Sequence, residues 1–230
     1  MSLTSTSTPT IPPLVDGERL SREEFHRRYL AMPHIKKAEL IDGVVCMPSP
    51  VNLDAHGEPH GWIGGWVATY FAYTKGVRFG IDSTLQLEGD NEVQPDITLF
   101  GVRREDGTNR VRADGYIDGS PELAIEIAAS SASRDRNAKK RVYLANGVRE
   151  YIIWRTEAEI IDWFILRDGK YEPLAVVAGV YKSESFPGLW LDTAAMLRGD
   201  LAGVFAVLQQ GMATPEHAAF VARPTSARQP

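Results

Sequence analysis

The chain has 230 residues, with 25 Lys and Arg against 30 Asp and Glu, a formal charge of −5. Apolar residues at 43% supply ample material for a core and exclude a wholly disordered chain. The single Cys46 excludes an intrachain disulfide framework and a thiolate zinc cluster, and the acidic balance argues against a protein that coats nucleic acid by bulk charge, while leaving room for a locally basic cleft.

Residues 1–15 are dense in Ser, Thr and Pro and read as a disordered lead-in. They lack the basic and apolar regions of a secretory signal, so the expected location is the cytoplasm. Ser21 is placed to cap a short helix reaching Leu30, with Glu23 and Glu24 in its first turn. Lys37–Met47 alternates around Asp42-Gly43, a hairpin signal, and Pro48-Ser49-Pro50 ends it. Asp54–Tyr73 reads as a helix with a broad apolar face that includes Trp62, Trp66 and Tyr70. Gly64 and Gly65 cost it about 1 kcal/mol each against alanine, so close packing on a sheet is expected there.

Short strands are expected over Val77–Asp82, Thr84–Leu87, Ile97–Phe100 and Leu123–Ala128, with Arg103–Ser120 as a polar surface loop. Ser133 caps a second helix to Asn146, which Gly147 closes. Tyr151–Trp154 and Ile160–Leu166 are strands, and Asp168-Gly169 turns into Tyr171–Val177. A final helix carries Leu201, Val204, Phe205 and Leu208 on one stripe, followed by a tail over 211–230. No segment supplies the roughly 20 apolar residues that span a membrane. The tryptophans read as core, with Trp163 and Trp190 as candidate interface residues. The pattern is one domain over 16–210, a mixed β-sheet flanked by helices, α/β or α+β in class.

The residues that can carry chemistry are Asp96, Glu126 and Lys139. Asp96 stands at the entry to one strand. Glu126 stands inside another, on the side opposite Leu123, Ile125 and Ile127. A glutamate in a core-like strand is costly unless paired. Two carboxylates at the ends of adjacent strands can hold a hard cation, while either one alone is more often a salt-bridge partner. Lys139 shares a helix face with Val142 and Tyr143, so it points partly inward. It reads either as an ammonium beside the carboxylates, orienting water or a phosphate, or as a lysine snorkelling past an apolar face. A buried lysine of this kind suggests that Lys139→Met would lose activity and gain stability. Residues 134–141 hold five basic residues against one acidic, and Arg134, Arg136 and Lys140 are candidate phosphate contacts.

Seven short motifs in order give the chain a family resemblance. They are Glu39-Leu40-Ile41-Asp42-Gly43, Pro48-Ser49-Pro50, His56-Gly57, Gln94-Pro95-Asp96, Glu126-Ile127-Ala128 with its serine-rich turn, Asp135-Arg136-Asn137-Ala138-Lys139, and Gly147-Val148-Arg149-Glu150-Tyr151. From about Leu20 to Leu191 the chain resembles the Uma-two family of bacterial restriction endonuclease-like proteins, within the PD-(D/E)XK nuclease superfamily. The resemblance implies a restriction-endonuclease-like α/β core. It implies Asp96 and Glu126 as ligands of Mg²⁺ or Mn²⁺ and Lys139 as the catalytic lysine. The superfamily's usual lysine lies two residues after the second acid, where this chain has Ala128, so Lys139 corresponds to a lysine moved to the next helix. Glu39 and His56 are further candidates, for an outer metal or water ligand and for a phosphate or metal contact.

The implied activity is metal-dependent hydrolysis of DNA, most simply duplex DNA. The alternatives are a non-catalytic module that keeps the fold for binding or assembly, and a hydrolase of a small phosphorylated ligand. A homodimer is expected, because two copies place one site on each strand of a duplex. Phe186–Trp190 and the Leu201–Leu208 stripe offer a surface for that contact, unless the helix folds back on its own sheet.

Overall fold

In the sequence Lys37–Met47, Asp42 and Gly43 both adopt left-handed backbone angles, φ 50° and 74°, which is what a two-residue hairpin turn demands. Asp168 and Gly169, at 46° and 75°, repeat the device. The structure is a computed structural model and describes residues 11–47, 50, 52–101, 110–128 and 133–223, with 133–136 as backbone only.

Its elements in chain order begin with α1 (Arg22–Leu30), β1 (Glu39–Ile41), β2 (Val44–Cys46), a π-helical turn (Leu53–Gly57) and α2 (Glu58–Tyr73). Next come β3 (Val77–Ile81), β4 (Leu85–Leu87), β5 (Asn91–Val93), β6 (Ile97–Gly101), β7 (Arg110–Val111), β8 (Ile117–Asp118) and β9 (Leu123–Ala128). Then follow α3 (Ser133–Ala145), β10 (Glu150–Arg155), β11 (Ile160–Arg167), β12 (Lys170–Pro173), β13 (Val176–Val177), β14 (Val180–Lys182) and β15 (Trp190–Asp192). The chain finishes in α4 (Thr193–Leu197), α5 (Leu201–Met212) and α6 (Pro215–Ala222).

The central sheet runs β12-β11-β10-β9-β6-β3. Only β9 and β10 are parallel in it, and α3 is the crossover that parallel neighbours need. Alternation along β9 divides the core in two. Leu123, Ile125 and Ile127 join Trp66, Tyr70, Val204 and Leu208 beneath α2 and α5. Ala124 and Ala128 face the other way, toward Val142 and Tyr143 of α3 and Leu85 and Ile117 of the second sheet, ordered β2-β1-β5-β4-β8-β7. This is the mixed sheet flanked by helices that the sequence pattern implies.

The double glycine of α2 serves two contacts. A Cβ on Gly64 would stand 3.7 Å from Ile97 of the sheet, and one on Gly65 would stand 3.8 Å from Phe205 of α5. The apolar stripe of α5 is therefore packed within the protomer, with Val204 and Leu208 fully buried and Leu201 and Phe205 partly buried on the same core. Trp163 is likewise a core residue, edge-on to Trp66 at 6.0 Å, and not an interface residue. Trp190 is half-buried, and its carbonyl accepts the Trp66 indole N–H at 2.9 Å.

Three other expectations are corrected. Part of the expected surface loop, 110–118, forms β7 and β8, because Ile117 is buried and pairs with Leu85; residues 102–109 lie outside the described part. The segment read as a tail contains α6, capped by Thr214 and anchored by buried His217 and Phe220; only 224–230 lie outside. Of the lead-in, Leu14 is buried with Phe25, Leu40 and Val45, while 1–10 lie outside. Pro48, Ser49 and the serine-rich turn at 129–132 also fall outside, and Ser133 lies within α3.

Glu150, in the Gly147–Tyr151 motif, is a buried carboxylate with a structural task. It accepts the Trp163 indole N–H at 2.8 Å, the Ser183 hydroxyl at 2.9 Å and the backbone N–H groups of Glu184 and Ser185 at 2.9 and 2.6 Å. Those donors offset the desolvation of a charge at the centre of the sheet.

Candidate active site

Strand pairing brings the two key carboxylates together. β6 and β9 are antiparallel with Ile97 opposite Ile125, so Asp96, just before β6, lands beside Glu126 and Ile127. Asp96 is 2% exposed, and its Oδ2 accepts the Ile127 N–H at 2.8 Å. Its Oδ1 lies 3.0 Å from Lys37 Nζ and 3.4 Å from His56 Nε2. His60, one turn after His56, places its Nε2 3.2 Å from the Asp96 carbonyl oxygen.

Glu126 projects from β9 toward α3. Both its oxygens stand 3.0 Å from Lys139 Nζ, and the Tyr143 hydroxyl donates to Oε1 at 2.6 Å. Helical spacing puts Lys139 and Tyr143 on one face of α3, turned to the sheet. Lys139 also reaches Glu39 Oε1 at 2.9 Å, and that oxygen accepts the Gln94 N–H at 2.6 Å. Lys139 thus lies inward, between two acids from two sheets, and not along an apolar surface.

The environments push the two carboxyls in opposite directions. Burial alone would raise Asp96, but the His56 hydrogen bond, the Lys37 and Lys139 charges and the Ile127 N–H outweigh it and hold this carboxyl well below the usual range. Burial dominates at Glu126; with Asp96 and Glu39 adding repulsion against the pull of Lys139, its carboxyl is pushed up to about 7. Burial would lower Lys139 and Lys37, yet the surrounding carboxylates raise both, so each stays an ammonium. Asp96 also raises the His56 imidazole through their hydrogen bond.

The remaining expected residues are dispersed. Lys140, next to Lys139 on α3, turns its ammonium over the Phe164 ring, 3.2 Å from the centroid, a cation–π contact on a different face of the helix. The side chains of Arg134 and Arg136 lie outside the described part.

Sequence reading missed three members of the cluster: Lys37, Asp82 and His60. Lys37 Nζ bridges Asp96 and Asp82, the latter at 2.9 Å. The signal for Lys37 was strand alternation, since Ala38 and Leu40 face a small core and leave Lys37 and Glu39 on the opposite side. The signal for His60 was its four-residue spacing from His56.

Among the described residues, no three or more His, Cys, Asp or Glu side chains form a ready-made metal cage. The donor chemistry nonetheless fits a hard divalent cation. Asp96, Glu126 and Glu39 offer carboxylate oxygens, the ligands that such a cation takes.

Comparison with known proteins sets this geometry in context. A family model named Uma2 and described as "Putative restriction endonuclease" matches residues 22–194. No curated protein matches the chain. Among solved structures, the crystal structure of "a putative nuclease belonging to DUF820" from Anabaena variabilis ATCC 29413 is similar in fold. It has a TM-score of 0.54 at 16% identity, over 82% of this chain and 99% of that one.

Proposed function

This chain belongs to the Uma2 family, described as putative restriction endonucleases, and from that premise we propose that it is a metal-dependent endonuclease hydrolysing DNA phosphodiester bonds. The observation that carries the reading is the convergence of Asp96 and Glu126 on paired strands, one carboxyl held ionised and the other poised near neutral pH. Sites that separate two carboxyls in this way are suited to acid–base and ion-assisted chemistry.

Asp96 and Glu126 would hold Mg²⁺ or Mn²⁺, with Glu39 behind them. Bound there, the ion supplies a water of lowered pKa and neutralises charge on the phosphate. The Ile127 N–H fixes the Asp96 carboxylate, leaving its Oδ1 toward Lys37 and His56. Tyr143 and Lys139 fix Glu126, and Lys139 favours its ionised form. Duplex cleavage takes two strand cuts, which is best served by a homodimer, one site per strand. The packed α5 stripe means that such pairing would use another face.

The test is supercoiled plasmid incubated with Mg²⁺ or Mn²⁺. Nicked and then linear product is expected, with none in EDTA. Linear product formed directly supports paired sites. Intact plasmid under every divalent ion overturns the nuclease reading in favour of a binding module, a reading that the net charge of −5 also suits.

The raised Glu126 carboxyl predicts a pH dependence. Its neighbours are Asp96, Glu39, Lys37, Lys139 and Tyr143. Only the carboxylate form binds a cation, so protonation competes with metal below about pH 7. Calorimetry should show Mn²⁺ affinity falling roughly tenfold per pH unit below that point and levelling off above it. Flat affinity from pH 5.5 to 8 would remove Glu126 from the ion's ligands.

A further inference from the structure

We propose that Lys37, and not Lys139, is the lysine that meets the scissile phosphate, and that Lys37, His56 and His60 form the phosphate-binding edge of the site. This assignment rests on the nuclease reading and names the catalytic contact within it.

The argument starts from donor accounting. A lysine ammonium has three N–H donors. Those of Lys139 face three carboxylate oxygens, Glu126 Oε1 and Oε2 at 3.0 Å and Glu39 Oε1 at 2.9 Å. Its side chain is 9% exposed. No donor of Lys139 is left for a water or a phosphate, and freeing one would strand a buried glutamate. Lys139 is therefore a positioning residue that acts through Glu126.

Lys37 is placed differently. Among the described residues it has two acceptors, Asp96 Oδ1 at 3.0 Å and Asp82 Oδ1 at 2.9 Å, and its side chain is 24% exposed. Asp82 is 49% exposed, and an ion pair to so wet a carboxylate contributes little. The ammonium can exchange Asp82 for a phosphate oxygen: one N–H···O bond breaks, one forms, and Asp82 returns to water. Asp96 meanwhile keeps the ammonium at the site.

Two histidines also converge on Asp96. His56 Nε2 lies 3.4 Å from the oxygen that Lys37 holds, and His60 Nε2 lies 3.2 Å from the Asp96 carbonyl. Their rings meet edge-on, with centroids 5.4 Å apart. Three basic side chains, none of them fully buried, thus gather on Asp96, Lys37 and His56 at its carboxylate and His60 at its main-chain carbonyl. That arrangement suits an incoming anion whose phosphorus must lie close to Asp96.

The test separates binding from cleavage. Binding of a labelled duplex oligonucleotide would be followed by fluorescence anisotropy in EDTA across a salt series, beside plasmid cleavage with Mn²⁺. Lys37→Met should bind about tenfold more weakly, with a salt slope reduced by about one phosphate contact. Its cleavage should fall on the order of a hundredfold. Lys37→Arg should recover binding. A Lys37→Met variant that binds with the parental slope and cleaves at the parental rate overturns the assignment. So does loss of oligonucleotide affinity in folded Lys139→Met alongside normal Lys37→Met. A parent protein that neither binds the oligonucleotide nor cuts plasmid overturns the nuclease reading as well.

Discussion

Asp96→Asn should abolish metal-dependent nicking of plasmid, a loss on the order of a thousandfold, while the circular dichroism spectrum stays that of the parent. The substitution keeps an oxygen to accept the Ile127 N–H, so the strand entry can hold. What it removes is the negative charge. The amide N–H₂ then faces Lys37 Nζ and His56 Nε2, where the parent offers an acceptor at 3.0 and 3.4 Å. An amide is also a poor ligand for a hard cation compared with a carboxylate. Mn²⁺ titration should show the matching loss of affinity. Parental nicking by a folded Asp96→Asn protein would remove Asp96 from the catalytic centre.

The second large effect concerns stability. Lys139→Met should destabilise the protein by about 3–5 kcal/mol near pH 8, measured by urea unfolding. This reverses the expectation, drawn from the sequence, that an apolar replacement would gain stability. That expectation weighed the buried charge removed and not the acids left behind. The structure instead places Lys139 between Glu126 and Glu39, so the variant leaves two buried acids facing each other.

The sign of the pH dependence follows. A carboxyl that holds its proton more tightly in the folded chain stabilises the fold fully below its unfolded pKa, about 4.3 for a glutamate. It loses that contribution as pH rises through the folded value. Glu126 already sits at about 7 in the parent, and removing Lys139 takes away the charge that most opposes the rise. The deficit of Lys139→Met should therefore shrink from pH 8 toward pH 5. A deficit that is constant with pH would mean that lost packing, and not the stranded acids, is the cause.

How much of this was legible in the sequence depended on how local the signal was. α1, the Asp42-Gly43 and Asp168-Gly169 turns, α2, β9 and α3 carry their own caps, turn residues and periodicity, and all are found close to where that chemistry places them. Asp96, Glu126 and Lys139 could be named because a charge in an apolar strand or on an inward helix face is conspicuous. β5 could not be read: Asn91 and Glu92 are polar, and their burial depends on partners such as His26, 66 residues away from Glu92. Lys37 and Asp82 escaped for the same reason, because their meeting with Asp96 is made by tertiary contact. α6 escaped because a helix of eight residues has too few turns for its buried His217 and Phe220 to form a visible stripe.

The Glu150 clamp carries a consequence for how the chain can be cut and rejoined. Glu150 belongs to the strand beside Glu126, yet three of its four donor groups come from Ser183, Glu184 and Ser185. Just beyond them, the carbonyl oxygens of Pro187 and Trp190 receive the Tyr70 hydroxyl and the Trp66 indole N–H of α2. The sheet strands around Glu126 and the last fifth of the chain are thus stitched through polar bonds that neither part can satisfy alone. A fragment ending before residue 183 would bury a carboxylate with one donor left, and it would leave two aromatic donors of α2 facing nothing. The later segments are therefore no detachable appendage, and this fold is poorly suited to being split into complementing halves at that loop.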